Sequence, residues 1–347
     1  MIPPMRRRSG GTTMTTALVA VAAAAVPALL LAGCRGSNDS SAGDPASGDV
    51  VTATTSTPTA TGLPATAEVA AGCTTPAAEP TTVAYEQLPG VDPNLVSVDV
   101  YGLPAGCGPA PVVFWVHGGG WYEGDKANTG TATKVAWAAE HGWALVAVNY
   151  RLSTPGSGVV WPTHGRDVAT AVSYTLDHAE QFELDPTRIA LMGHSAGAHI
   201  ASFLAVAPDL LAVAGRPAVD VDCLVALDTE GYDLVDRVDN GGTTTDEMIA
   251  NAFGTDTAAL VAASPLQTLR ANGGRAPDAV IVTRGLPQRK AQANAFADAL
   301  RATGADVTVV DATGYSHADV NQRLGTDGET VVTQPVTTFL ESCLAQG

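Results

Sequence analysis

Residues 188–207 read "RIALMGHSAGAHIASFLAVA". The first half is an apolar run of strand length, Ile189 to Met192, and the second half is an apolar helix pattern. Between them lies Gly193-His194-Ser195-Ala196-Gly197. A serine at a sharp strand-to-helix turn is crowded on both sides, so small neighbours are needed there, and Gly193 and Gly197 supply them. The turn lifts the Ser195 hydroxyl to the helix N-terminus, where the partial positive charge favours a developing anion. The pentapeptide alone is a weak signal. The strand before it and the helix after it give it meaning.

Outward from this turn, apolar strand-like runs alternate with helical patterns from about residue 95 onward. "VSVDVYG" alternates like a half-buried strand, "PVVFWVHGGGW" is a buried strand ending in glycines, and "WALVAVNYR", "VDCLVALD", "DAVIVTRG" and "ADVTVVDA" read as further strands. Helical spacing fills the intervals, including residues 288–303 and 329–344. This alternation predicts an α/β fold with a mostly parallel sheet covered on both faces. Such sheets bind ligands at the carboxyl ends of their strands. Residues 229–276 lack a strand pattern and are expected to form a cap-like insertion over those ends. No internal repeat or second domain boundary is visible.

The run His117 to Trp121, "HGGGW", ends the strand two before the serine strand. Glycines there leave backbone N–H groups unshielded. Those of Gly119 and Gly120 are expected to join that of Ala196 as an oxyanion hole. The order of these segments resembles the α/β-hydrolase superfamily. More narrowly, it resembles the esterase/lipase branch related to hormone-sensitive lipase and the bacterial feruloyl-esterase-like enzymes. The matching stretches include "VVFWVHGGGW", "VAVNYRL", "WPTHGRDVATAV", "DPTRIALMGHSAGAHIA", "GYDL" and "SPLQTL", and they run through most of residues 95–340. The resemblance implies a serine carboxylesterase acting on small or medium acyl esters through an acyl-serine, without metal or organic cofactor. A non-catalytic binding protein on the same fold, and an amidase or peptidase, stay open as alternatives.

Seven histidines compete for the role of base. Chain order in this superfamily is serine, acid, histidine, and beyond Ser195 and His199 only His317 remains. His317 is therefore the expected base. His117 is expected to order the glycine loop, His194 to point away from the serine, and His199 to pack its helix. The acid is harder to place. The resemblance expects an aspartate near residues 285–288, but residues 281–290 read "IVTRGLPQRK", with two arginines, a lysine and no carboxylate. Arg289 and Lys290 also fall in the first turn of a helix, where cations are unfavourable. They are expected either to be offset, by a nearby carboxylate or an anionic substrate group, or to extend into solvent. Asp228, at the end of the preceding strand, is the expected acid, with Glu230 and Asp233 as alternatives. Asp311 and Asp319 lie too close in sequence to His317 to be attractive. Asp167 matches a structural aspartate of the resembling enzymes.

The two ends speak of location. Arg6, Arg7 and Arg8 precede the apolar run "ALVAVAAAAVPALLLAGC", which is too short and too broken by Pro27 to read as a membrane span. Residues 1–33 are expected to be a lipoprotein signal peptide, with Cys34 acylated after cleavage in "LAGC". Residues 34–80 are almost all small or polar and are expected to form a disordered tether. Residues 81–347 are expected to form the hydrolase domain. The expected location is the cell envelope, on the outer face of the cytoplasmic membrane, with partial secretion as an option. The net charge of −17 argues against nucleic acid as a partner. Four cysteines remain besides Cys34, an even number in an exported chain. The expected pairs are Cys73–Cys107 and Cys223–Cys343.

Overall fold

The computed structural model describes residues 72–212, 221–240 and 243–345. The expected signal peptide, Cys34 and the tether as far as residue 71 lie outside the described residues. The strands are β1 (Thr81–Ala84), β2 (Ser97–Tyr101), β3 (Ala110–Val116), β4 (Ala144–Val148), β5 (Leu184–His194), β6 (Cys223–Leu227), β7 (Asp278–Thr283) and β8 (Val307–Asp311). The helices are α1 (Thr131–Glu140), α2 (Thr163–Asp177), α3 (Ala196–Val206), α4 (Pro208–Leu211), α5 (Leu234–Asn240) and α6 (Thr243–Phe253). They continue with α7 (Thr257–Ala262), α8 (Pro265–Asn272), α9 (Pro287–Arg301), α10 (His317–Arg323) and α11 (Thr333–Cys343). Among the described residues no helix is long and apolar enough to cross a membrane.

The strands form one sheet in the order β1-β2-β4-β3-β5-β6-β7-β8, with β1 and β2 antiparallel to their neighbours and the rest parallel. From β3 the chain steps one way to β4 and the other way to β5. A crevice opens at the carboxyl ends where the winding reverses. Alternate residues of β3 enter opposite cores. Val112, Phe114 and Val116 pack on one face of the sheet, and Val113 and Trp115 on the other. Burial on both faces is why these strands read as unbroken apolar runs.

β2 departs from the expected half-buried alternation, because Ser97, Val98, Asp99 and Val100 are all buried. Asp99 tolerates this because Thr82 Oγ1 donates to it at 2.7 Å and Lys126 Nζ lies 3.6 Å away. The last helix starts at Thr333, not at residue 329. The Glu329 carboxylate instead accepts the backbone N–H groups of Val331, Val332 and Thr333 and the hydroxyl of Tyr315. It satisfies donors that the first turn leaves free.

Residues 229–276 do fold as helices, α5 to α8, between β6 and β7. They are fastened at several points: Trp161 N–H donates to Ala252 O at 2.8 Å, His199 Nε2 to Ala263 O at 2.9 Å, and Leu234 N–H to Ser264 Oγ at 2.9 Å. Both expected disulfides are formed, with Cα–Cα distances of 5.5 Å for Cys73–Cys107 and 6.1 Å for Cys223–Cys343. The first attaches residue 73 to the domain ahead of β1, helped by Ala77 N–H donating to Gly102 O. The second joins the start of β6 to the end of α11 across 120 residues of chain. Replacing Cys223 and Cys343 together by alanine is expected to cost about 3–5 kcal/mol, read as a lowered urea midpoint under non-reducing conditions. An unchanged midpoint would show that the clip contributes nothing.

Candidate active site

Ser195 sits between β5 and α3 with φ 56° and ψ −119°. That backbone state is rare outside glycine and is held here by its surroundings. A Cβ on Gly193 would lie 2.3 Å from Gly197 O, and one on Gly197 would lie 2.1 Å from Val116 O. Both glycines are therefore required by backbone packed against backbone. The elbow presses on β3, and this sets the serine beside the glycine loop. A Cβ on Gly118 would lie 3.1 Å from Ser195 Cβ.

The loop after β3 turns tightly. Tyr122 and Glu123 both donate their N–H to Gly119 O at 3.1 Å, and Gly119 and Gly120 have φ 116° and 58°. A Cβ on Gly119 would collide with Glu123 O at 2.0 Å, and one on Gly120 with Met248 Sδ at 2.5 Å. Bare backbone is thus needed at Gly119, where the clash is with backbone, while at Gly120 the left-handed φ favours glycine and the Met248 side chain is free to shift; both line one cleft with Ser195 and Ala196. His117 orders this loop: Nδ1 donates to Gly118 O at 2.7 Å, its ring stacks on Tyr150 at 4.5 Å, and Tyr150 OH donates to His117 O at 3.0 Å.

His317 is the first residue of α10. Ser316 caps that helix, accepting from Asp319 N–H while Asp319 Oδ2 accepts from Ser316 N–H. Asp319 is therefore occupied in a capping box. Lys134 pins the same helix from α1. Its fully buried ammonium donates to Asn321 O at 2.7 Å, Asn321 Oδ1 at 2.8 Å and Gly130 O at 3.0 Å. Burial pulls its pKa from 10.5 to about 7.

Asp228 follows β6 and, like Ser195, has a positive φ, 50°. Its N–H donates to Val282 O at 2.8 Å, so the β6–β7 pairing continues to Asp228 itself. His317 Nδ1 donates to Asp228 Oδ2 at 2.6 Å. An ionised carboxylate only accepts, so the proton sits on Nδ1 and leaves Nε2 as the acceptor. Two guanidiniums share the carboxylate: Arg284 Nε on Oδ2 at 2.6 Å and Arg289 Nη1 on Oδ1 at 2.8 Å. Burial by itself would raise this acid. The His317 hydrogen bond and the charges of Arg289, His317 and Arg284 outweigh it and hold the carboxyl below the usual range.

The other candidates for the acid are engaged elsewhere. Glu230 pairs with Arg289 and Arg237. Asp233 caps α5 through Val235 and Asp236 N–H and accepts from Gln267. Asp311 pairs with Lys290 at 2.7 Å. Asp167 receives Arg151 through both Nε and Nη2, a structural clamp. The cations at the start of α9 are thus offset by Asp228, Glu230 and Asp311.

His194, inside the elbow, turns its ring onto that of His317, 4.4 Å between centroids, and donates Nε2–H to His317 O at 3.0 Å. Burial, with the nearby His317 ring, lowers it to about 3, so it is a neutral donor. Ligand atoms of His194, Asp228 and His317 lie within 4.8 Å of one another. Two guanidiniums already neutralise the only carboxylate there, so a further cation would meet repulsion before coordination. Ser195 and His317 line the same cleft, about 810 Å³, without a hydrogen bond between their side chains among the described contacts. Such bonds often tighten only when substrate is bound. Met248 and Ile249 of α6 close one wall of the cleft, beside Tyr122, and Asn128, Asn321 and Gln322 form a polar wall.

Sequence reasoning did not foresee the roles of Arg284, Arg289 and Lys134. The signal for the arginines was present: cations where a carboxylate was expected.

The family model described as BD-FAE matches residues 98–229. A probable carboxylic ester hydrolase, LipM, of Mycobacterium tuberculosis is 38% identical over 102 residues, which cover 29% of this chain and 23% of that protein. Arylacetamide deacetylase of Bos taurus is 37% identical over 102 residues, 28% of this chain and 24% of that protein. The chain thus matches under a quarter of the length of these curated relatives. Among solved structures, a truncated carbohydrate esterase from gut microbiota superimposes with a TM-score of 0.63 at 18% identity, over 77% of this chain and 97% of that one. A bacterial heroin esterase gives 0.57 at 21% identity, over 77% and 83%. The reversed winding at β3, the strained serine after β5 and these likenesses agree: the chain has the α/β-hydrolase fold, and over residues 98–229 it is similar to proteins of the esterase/lipase branch.

Proposed function

We propose that the chain is a serine carboxylesterase that cleaves small or medium acyl esters, anchored to the cell envelope through a lipid on Cys34. The observation that carries the catalytic reading is the 2.6 Å bond from His317 to the buried Asp228, in the cleft that Ser195 lines from its strained turn. In this reading Ser195 Oγ attacks the ester carbonyl while His317 Nε2 takes its proton. Asp228 keeps the proton on Nδ1 and stabilises the imidazolium. Backbone N–H groups of Ala196 and of Gly119 or Gly120 receive the oxyanion, and that strengthening in the transition state is the catalytic gain. His317 then protonates the leaving alcohol. A water repeats the sequence on the acyl-serine, returning the enzyme and releasing the acid. The ester-hydrolysing relatives named above support this reaction class. The basic, apolar, cysteine-terminated start of the chain supports the anchor.

A fluorophosphonate probe should label the purified protein at Ser195, located by peptide mass spectrometry, and labelling should fall when p-nitrophenyl acetate competes. Absence of labelling in folded protein would favour the binding-protein alternative.

A further inference from the structure

Asp228 holds more positive charge than orienting one histidine requires. Its side chain is fully buried, yet three cationic or potentially cationic groups meet its two oxygens. Oδ2 is divided between His317 Nδ1 and Arg284 Nε, both at 2.6 Å, while Oδ1 takes Arg289 Nη1 at 2.8 Å. Arg284 arrives from the end of β7, the strand beside β6, and Arg289 from the first turn of α9. Arg289 also reaches Glu230, which in turn holds Arg237 of α5. The acid is thus gripped from the neighbouring strand and from a helix, in a chain whose overall charge is −17.

We propose that Arg284 and Arg289 are positioning residues that brace Asp228 against His317 and, by drawing on its negative charge, let the base work at lower pH than an acid held only by neutral donors would. The proposal rests on the triad reading given above. Two effects act in one direction. A carboxylate oxygen shared with a guanidinium is a weaker acceptor, so it stabilises an imidazolium less. The guanidinium itself also repels a positive charge on the ring across a short, poorly solvated gap. Asp228 is held below the usual carboxylate range, in keeping with this. The other ionisable groups around the pair do not supply the same effect. His194 of β5 is neutral, Asp319 and Arg323 of α10 pair with each other at 3.0 Å, Glu230 is paired with Arg289 and Arg237, and Lys134 of α1 faces Asn321 and the Trp115 ring.

Arg284 is the cleaner position to test, since Asp228 is its ion-pair partner among the described contacts, whereas Arg289 also serves Glu230. In Arg284→Met, with p-nitrophenyl acetate as substrate, kcat should fall roughly 10- to 100-fold with KM nearly unchanged, because the loss of the brace that aims Asp228 at His317 Nδ1 outweighs the stronger imidazolium stabilisation by an unshared oxygen. The acid limb of kcat/KM should move up by about one pH unit, a shift that merely structural damage would not produce. Arg284→Lys, which keeps the charge, should return the acid limb toward its original place. If Arg284→Met does not fold, Arg289→Met should show the same upward movement. An acid limb that stays put in the folded variant, or a raised KM with kcat retained, overturns the brace. Asp228→Asn measured alongside separates the two levels. Full rate in that variant overturns the triad reading and the brace with it, whereas a large loss there beside an unmoved acid limb in Arg284→Met overturns the brace alone.

Discussion

Ser195→Ala should lower kcat on p-nitrophenyl acetate by about 10⁶-fold, the scale seen when the nucleophile of a triad is removed. A residual rate of roughly 10³- to 10⁴-fold over water would remain, from the oxyanion donors and substrate binding. The fold should be untouched. The Ser195 hydroxyl makes no hydrogen bond among the described contacts, and the turn is imposed by Gly193 and Gly197 packing on backbone. Circular dichroism and the thermal midpoint should therefore match the wild type. A near-normal rate in clean, folded Ser195→Ala would remove the serine-hydrolase reading altogether.

The second large effect is expected at Asp228. Asp228→Asn should lower kcat about 10⁴-fold, because an amide cannot hold the proton on His317 Nδ1 and cannot stabilise the imidazolium. Unlike Ser195→Ala, this change should also weaken the fold. The carboxylate is fully buried and partners two guanidiniums; Arg284 would lose its anionic partner, while Arg289 would keep Glu230. Removing one partner of such a pair costs about 3 kcal/mol, and here part of it is recovered because the arginines can turn outward. The pH dependence gives a second readout. The carboxyl is depressed below its ordinary value of 3.8, so its contribution to stability is present in full above that value and is lost as pH falls through the folded-state pKa. That portion of the acid-unfolding curve should flatten in Asp228→Asn. A variant with wild-type kcat would return the acid's role to Glu230 or Asp233, or show that a serine–histidine dyad suffices.

Much of the molecule is legible in the chain itself, wherever the cause is local. Gly193 and Gly197 flank the serine because a Cβ at either would strike backbone two strands or one turn away, and a short motif records that. The buried strands announce themselves as apolar runs because both faces of the sheet are covered. His317 could be chosen by chain order, and the cap between β6 and β7 by the lack of any strand period. What the chain could not settle is which of several carboxylates meets His317. Asp228, Glu230 and Asp233 lie within six positions of one another in sequence, and the choice depends on directions set elsewhere. The β6–β7 register carries the backbone of Asp228 to Val282, and its positive φ turns the side chain toward a histidine 89 residues away. Only then do Arg284 and Arg289 acquire a purpose. In sequence they are cations in an unfavourable place, but in the folded chain they surround a buried anion, and neither local pattern nor spacing encodes a contact made across two strands and a helix. The burial of Asp99 has the same origin. An alternating pattern reports which residues are apolar, whereas the groups that make its burial tolerable come from elsewhere in the chain, Thr82 from the edge strand β1 and Lys126 from the loop between β3 and α1.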